Sequence, residues 1–376
     1  MTSDSERRTA SGTRLRRLSQ ADSGRILEFL STSGLAASIP TYGLNSETQL
    51  KIEMSGISRI LQHEEGLCLG AFRNGSIEGL ACLMRAAFDS SVYQLEMGEV
   101  SSFLAHENRR EATLHGSLLR CILRSASKLG IEHLSCRIPV DDVAARHALE
   151  LAGFLLMDTS VEYSWNPTLI EISESEHSLN VRTPATSPGS SFRILKLGVT
   201  YRPSRSEDLP ALEEIARRSF TQDTLSRYSV DPALPLERTG NFYARWINNA
   251  VRGSFGDLVM VACAGERPVG FQAFRREAEF SELLGVPAGS MGIGAIDPNF
   301  RGGGIFPGLM ATVLAWCGRE GIRLARGRTL VNNFRMHRTC AATGGTIRAC
   351  FHSFHRTLGR AAKREPRPSR LSSSVD

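Results

Sequence analysis

The stretch "DPNFRGGGIFPGLM" (residues 297–310) decides how this chain reads. Three consecutive glycines, Gly302, Gly303 and Gly304, follow Arg301 and precede an apolar helical run. Lacking Cβ atoms, they let backbone N–H groups approach a ligand closely. The helix opening at Phe306 and Pro307 adds further unpaired N–H groups and the positive end of a dipole. Together these make a seat for a phosphate or pyrophosphate. A glycine run alone is more often a flexible turn than a phosphate site, so the surrounding chain must decide. Before it stands "GSMGIGAID", a strand, and after it "FPGLMATVLAWCGREG", an amphipathic helix ending at Gly321. Strand, glycine loop and helix are the order a phosphate site needs. The run lacks the Lys-Ser/Thr of a nucleotide P-loop.

The same module is written twice. A constant shift of 191 lays "LCLGAFRNGSIEG" (67–79) on "LVMVACAGERPVG" (258–270), and "SLLRCIL" (117–123) on "GLMATVL" (308–314). Under that shift Arg110 falls on Arg301, Arg137 on Arg328 and Gly153 on Gly344, and "VEYSW" (161–165) falls on "HSFHR" (352–356). A fixed register over about a hundred residues argues for duplication. Nearer the starts, "RRLSQADSGRIL" resembles "RPSRSEDLPAL" at a smaller shift. Between the halves, "SESEHSLNVRTPATSPGSSF" is polar and rich in Ser, Thr and Pro, the composition of a linker.

Bulk properties narrow the class. With 376 residues, 41% of them hydrophobic, the chain is long enough for two globular domains. No apolar run reaches membrane-spanning length, and "MTSDSERRTASGTRLRR" lacks the apolar core of a signal peptide. The eight cysteines stand singly in apolar contexts, without zinc-ligand spacing or a disulfide framework, so no metal is expected and a reducing cytoplasm fits. The net charge of +6 comes from two tails, +3 over residues 1–17 and +3 over 359–376. The remainder balances to zero, so nucleic-acid binding is not expected.

These motifs resemble the GNAT superfamily of acyl-CoA-dependent N-acyltransferases. The likeness rests on "IGAIDPNFRGGGIFPGLM", on "LVNNFRMHRTCAATGG" and, for amino-sugar-nucleotide acetyltransferases such as the dTDP-fucosamine enzymes, on "NFYARWINNAVRGSFGD" (241–257) with "FHSFHR". It implies an α/β fold of two tandem GNAT-like domains, each a mixed, mostly antiparallel central sheet flanked by helices. It further implies acetyl-CoA as acyl donor, its pyrophosphate over Arg301, Gly302, Gly303, Gly304, Ile305 and Phe306, with Asn333 part of the same motif. The strand from Gly292 to Ile296 would bulge and splay, and a backbone N–H near Ala295 or Ile296 would polarise the acyl carbonyl. Such an N–H stabilises the negative charge that amine attack builds on oxygen.

Family members place a tyrosine acid seven residues after the helix-opening Asn, and here that position is Cys340. A thiol, with a reference pKa of about 8.5 against about 10 for tyrosine, is chemically able to protonate the leaving thiolate. It is also a small hydrophobe suited to a helix face. His352 or His355 could instead exchange protons, and on an alternating strand at most one faces the cleft. Tyr243 and Trp246 read either as core or as the border of an acceptor pocket. By resemblance Asn249 and Arg252 would suit sugar hydroxyls or a diphosphate. Glu277, Glu279 and Glu282 read as a solvated hairpin loop.

In the first half Glu111, Ala112 and Thr113 replace the three glycines, Asp142 replaces Asn333 and Leu149 replaces Cys340. The expected division is a disordered tail over 1–13, a degenerate GNAT-like domain without a CoA loop over 14–167 and a linker over 168–195. A catalytic GNAT domain over 196–358 and a basic disordered tail over 359–376 complete it. The expected activity is N-acetylation of a small-molecule amine, an amino sugar that is nucleotide-linked, by direct attack in a ternary complex. Neither nucleic acid nor membrane is expected as partner, and a homodimer is compatible. Alternatives are another amine acceptor, such as an amino acid or antibiotic, or a non-catalytic CoA-binding sensor.

Overall fold

Each half opens with an arginine that grips an aspartate six residues on: Arg16 and Asp22 at 3.0 and 2.5 Å, Arg202 and Asp208 at 2.7 and 2.8 Å. The equivalence is offset by 186 residues, the smaller shift seen in the sequence. The structure, a computed structural model, describes residues 7–8, 13–32, 45–106, 112–184, 191–196, 198–222 and 226–359.

The first half comprises β1 (Arg7–Arg8), β2 (Arg14–Arg17), α1 (Ser23–Thr32), α2 (Ser46–Gln62), β3 (Leu67–Arg73), β4 (Ser76–Arg85) and α3 (Ala87–Tyr93). It continues with β5 (Met97–Ala105), α4 (Thr113–Lys128), β6 (His133–Pro139), α5 (Val143–Leu151) and β7 (Leu155–Trp165). Three short strands follow, β8 (Glu171–Glu174), β9 (Ser178–Arg182) and β10 (Phe192–Leu195). The second half comprises β11 (Val199–Pro203), α6 (Leu209–Gln222), α7 (Arg227–Val230), α8 (Leu236–Val251), β12 (Leu258–Ala264), β13 (Arg267–Arg276) and α9 (Ala278–Leu284). It closes with β14 (Ala288–Ile296), α10 (Ile305–Arg319), β15 (Leu324–Leu330), α11 (Phe334–Ala342) and β16 (Thr346–Thr357).

Local chemistry explains the matching elements. The side-chain oxygen of Asp142 accepts the Ala145 N–H (2.9 Å) at the start of α5, and that of Asn333 accepts the Met336 N–H (3.2 Å) at the start of α11. The two residues correspond across the repeat, so one shared task there is helix capping. Helix α8 buries Phe242, Tyr243, Ile247 and Ala250 along one face while Asn241 and Arg245 stay exposed.

Among the described residues, thirteen strands make one sheet in the order β1-β2-β3-β4-β5-β6-β16-β7-β15-β14-β13-β12-β11. The final strands are exchanged: β16 of the second half pairs antiparallel with β6 of the first, and β7 of the first pairs with β15 of the second. The two exchanged strands also pair with each other. Their side chains then enter the opposite core. Val161, Tyr163 and Trp165 of β7 are buried with Leu309, Val313 and Leu314 of α10, while Phe354 of β16 is buried with Leu118 and Ile122 of α4. Each such burial contributes on the order of 2 kcal/mol, which makes the halves mutually dependent. Helix α3 packs on α8 in the same sense, with Tyr93 and Thr239 hydroxyls 3.1 Å apart.

Two expectations about the intervening segments change. The stretch expected as a linker carries a three-stranded sheet ordered β10-β9-β8, because Leu179, Val181 and Ile194 alternate inward and are buried against Ala311 of α10. Within the expected N-terminal tail, Arg7 and Arg8 pair with Leu15 and Arg14 as a short edge strand. The rest of that tail up to residue 12, and residues 360–376, lie outside the described residues. Among the described residues, no helix is long and apolar enough to cross a membrane.

Candidate active site

Strands β14 and β15 are parallel and paired only from Ala288 to Ser290 against Leu324 to Arg326. Beyond Ser290 they separate, and the β13–β14 register shifts between Gln272 and Phe274. The splay opens a cleft of about 1880 Å³ that extends from the glycine loop, past β14, to residues of β6 and β7.

Backbone direction in the splay follows from one hydrogen bond. Asp297 N–H donates to Val269 C=O on β13 at 2.8 Å. Alternation along an antiparallel pair then turns Ala295 toward β13 as well, and sends the Ile296 and Gly294 N–H groups into the gap. Of the two expected carbonyl-polarising residues, Ile296 has the required direction. Ala295 contributes to the cleft wall, with its own N–H directed into the sheet.

The glycine loop lies at one end of the cleft. Gly302 (φ 90°) and Gly304 (φ 69°) occupy the left-handed region, where side chains are disfavoured. Among the described residues, a Cβ on either would meet nothing within 4 Å, which leaves space above the loop. Gly304 is the N-cap of α10 and no side chain among the described residues caps that terminus, which leaves the first-turn N–H groups of Ile305 and Phe306 directed at the cleft. Arg301 and Asn333 are on the cleft wall with them.

Tyr243 and Trp246 are both core and wall. The Tyr243 ring stacks on Phe220 with centroids 3.9 Å apart, its hydroxyl donates to Ser226 Oγ at 3.3 Å, and burial pushes its pKa up. Trp246 lies against Gly292, where an added Cβ would come within 2.3 Å of the indole. Asn249 and Arg252 are off the cleft. Three-residue steps along a helix of 3.6 residues per turn drift about 60° each, which carries them off the face that Tyr243 and Trp246 share. The exposed Arg252 is held by Asn248 Oδ1 at 2.9 Å.

The expected proton-transfer residues also move. Cys340 is only 1% exposed, packed in the core with Tyr163, Trp165 and Met310, and burial pushes its thiol up to about 12. A thiol so placed is a core side chain and a poor acid. His352 Nδ1 is 2.9 Å from Thr159 Oγ1, away from the cleft wall, and burial lowers its pKa. His355 Nδ1 and His133 Nε2 share the Asp231 carboxylate oxygen at 2.7 and 2.8 Å in a buried cluster at the seam. Their other ring nitrogens have no hydrogen-bond partner among the described residues, and burial pushes His355 down to about 4. The three residues have ligand-capable atoms within 4.8 Å of one another. No spacing marks them in the sequence, since His133 and His355 stand 98 and 124 residues from Asp231. Glu277, expected solvated, forms a bidentate pair with Arg326 (2.8 and 2.7 Å) on the cleft wall.

Several cleft residues went unread in the sequence. Arg137, Asp158, Ser160 and Glu162 come from the first half, and Arg227 and Tyr228 from the short helix α7. The usable signal was the repeat itself, which matches Arg137 with Arg328 and Glu162 with Ser353.

Comparison with known proteins agrees with this architecture. A GCN5-related N-acetyltransferase from Sphaerobacter thermophilus superposes with a TM-score of 0.58 at 13% identity, over 92% of this chain and 95% of that one. The glucosamine N-acetyltransferase region of a fungal multi-domain GH3 beta-N-acetylglucosaminidase gives 0.57 at 11% identity, over 92% of this chain and 38% of that one. The chain therefore has the fold of the GCN5-related N-acetyltransferases, with the unit present twice. In sequence, the dTDP-fucosamine acetyltransferase of Escherichia coli O6:H1 is 27% identical over 154 residues, 41% of this chain. The match spans 61% of that relative's length. No family profile matches the chain.

Proposed function

We propose that this chain is an acetyl-CoA-dependent N-acetyltransferase whose donor and acceptor meet in the cleft of the second half, and that the acceptor is a nucleotide-linked amino sugar. The observation that carries the reading is the continuity of one cleft from the glycine loop, along the splayed edge of β14, to Tyr243 and Trp246. The donor end fits a CoA pyrophosphate: two left-handed glycines, open space above them and an uncapped helix N-terminus. An acyl thioester supplies the electrophile when bound. The Ile296 N–H, directed into the gap, is placed to stabilise charge on a carbonyl oxygen there. Tyr243 and Trp246 wall the acceptor side and exclude water from it. The amino-sugar assignment draws on the likeness to the dTDP-fucosamine acetyltransferase.

The first half carries no such loop in this reading. Thr113 stands where Gly304 stands and is the first residue of α4, with Ala112 before it at φ −112°. Arg110 and Glu111 lie outside the described residues. The role of the first half is then to complete the cleft with β6 and β7.

Calorimetric titration of acetyl-CoA into the intact chain and into Gly303→Glu tests the donor site. Gly303 stands between the two left-handed glycines on the cleft wall, so the substitution puts charge and bulk where the pyrophosphate would sit. One site, lost on substitution, is the expected result; two sites or none defeats the reading. Turnover with nucleotide-linked amino sugars, against amino acids and aminoglycoside amines, tests the acceptor class.

A further inference from the structure

The repeat places two arginines at equivalent positions with unequal partners. Arg328 on β15 stands opposite Glu162 on β7, and Arg137 on β6 stands opposite Ser353 on β16. Glu162 and Ser353 are themselves equivalent under the shift of 191. In the first pair a carboxylate answers the guanidinium, with Arg328 Nε and Glu162 Oε2 2.5 Å apart. In the second, Arg137 Nε reaches only Ser353 Oγ at 3.4 Å. Arg137 thus lines the cleft with no carboxylate within 4 Å among the described residues. Arg227, from the second half, lines the same end. Its Nη2 donates to the Tyr228 hydroxyl (2.7 Å) and its guanidinium lies over that ring (4.6 Å), while among the described residues only its backbone N–H meets an acid within hydrogen-bond distance, Asp158 Oδ2 at 2.8 Å.

We propose that Arg137 and Arg227, one from each half, form an oxyanion subsite at the acceptor end of the cleft, built to hold a phosphate or carboxylate group of the acceptor. Guanidinium forks match both groups, and two of them in a shielded cleft bind such a group in charge-assisted fashion. Three of the acids facing this end are already engaged: Glu162 by Arg328, Asp158 by the Arg227 N–H, and Asp89 by the Tyr228 hydroxyl at 2.7 Å. The fourth, Glu99 on β5, acts on both arginines through its charge and is exposed to solvent, which screens it. Burial, with the charges of Arg227 and Arg328 beside it, pushes Arg137 down to about 9. An incoming anion relieves that repulsion and restores the balance that Glu162 gives Arg328. The subsite also gives the first half a reason to be present without a glycine loop. It rests on the acetyltransferase reading for the identity of the molecule bearing the anion; the binding of the anion itself does not.

The test titrates inorganic pyrophosphate, and separately malonate, into the intact chain saturated with CoA, which keeps the glycine loop filled. If CoA does not bind, the acetyltransferase reading has failed, and the same titrations are made on Gly303→Glu. The expected result is saturable binding of one probe, weakened at least about ten-fold by Arg137→Gln and by Arg227→Gln, with CoA affinity unchanged. Pyrophosphate then indicates a phosphorylated acceptor and malonate a carboxylated one. Melting curves of both variants identify a folding defect, and two independent variants keep the test decisive if one misfolds. Binding of neither probe, or binding that survives both substitutions, overturns the subsite. Loss on Arg252→Gln instead would return anion recognition to the surface of α8 and overturn it as well.

Discussion

Arg328 Nε lies 2.5 Å from Glu162 Oε2, an ion pair that runs from the second half of the chain to the first across neighbouring strands of one sheet. Glu162 is 2% exposed and has been drawn out of water by the strand exchange that put β7 against β15. Its removal leaves Arg328 beside the cleft without its acid. Glu162→Gln is expected to lower stability by about 1–3 kcal/mol, read as a lower urea midpoint at unchanged slope. A midpoint within error of the parent would show that the pair is incidental.

Gly292 is a packing constraint on Trp246. A Cβ there would come within 2.3 Å of the indole ring and 3.3 Å of Ala273. Gly292→Ala is expected to displace Trp246, raising acceptor KM several-fold while acetyl-CoA affinity holds, at a stability cost of about 1–3 kcal/mol. Trp246→Phe in the Gly292→Ala background should recover part of that loss. An unchanged acceptor KM in the single variant would remove Trp246 from the pocket.

The buried position of Cys340 predicts a structural phenotype. Cys340→Ala is expected to keep kcat within about two-fold and to lower stability by about 1 kcal/mol, the scale of a small core truncation. A fall in kcat of a hundred-fold or more, the scale of a lost general acid, would return this thiol to the chemistry.

The cluster of His133, Asp231 and His355 sets an acid limit. His355 is held near 4 in the folded chain, below its ordinary value of 6.5, because burial disfavours its charge. An unfolded chain therefore binds a proton that the folded chain refuses between those values. The contribution is fully present above about pH 6.5 and is lost as pH falls toward 4. Asp231, held below its ordinary range by the two histidines despite its burial, extends the loss in the same direction at lower pH. Thermal midpoints should fall from pH 7 to pH 4, with a shallower slope in His355→Gln. A parallel slope in the variant would place the acid sensitivity elsewhere.

Strand exchange predicts that the halves do not separate. Residues 196–376 expressed alone lack β6 and β7, leaving β16 without either neighbour, β15 paired with β14 alone, and the α10 core without Tyr163 and Trp165. Aggregation, or loss of a cooperative transition, is expected in circular dichroism melts. Mixing separately refolded halves should restore some binding of acetyl-CoA. A stable, monomeric second half with full CoA affinity would mean that the exchanged strands are dispensable.

The sequence by itself determined the repeated unit, the strand–glycine loop–helix motif and the elements around it. These are local: apolar period, capping residues such as Asp142 and Asn333, and glycines whose backbone needs appear within a few residues. It was silent on Asn249 and Arg252 leaving the cleft, because a three-residue spacing drifts around a helix and only packing fixes which face turns inward. Cys340 was ambiguous for the same reason, since a thiol suits a core and an active site alike until burial decides. The largest difference lies in the exchange of β7 and β16. Local pattern makes each a strand but cannot name its neighbour, because pairing partners are chosen by hydrogen-bond edges and side-chain burial across the whole chain. That tertiary choice set Glu162 against Arg328 and Ser353 against Arg137, and so decided which arginine in the cleft has an acid to answer it.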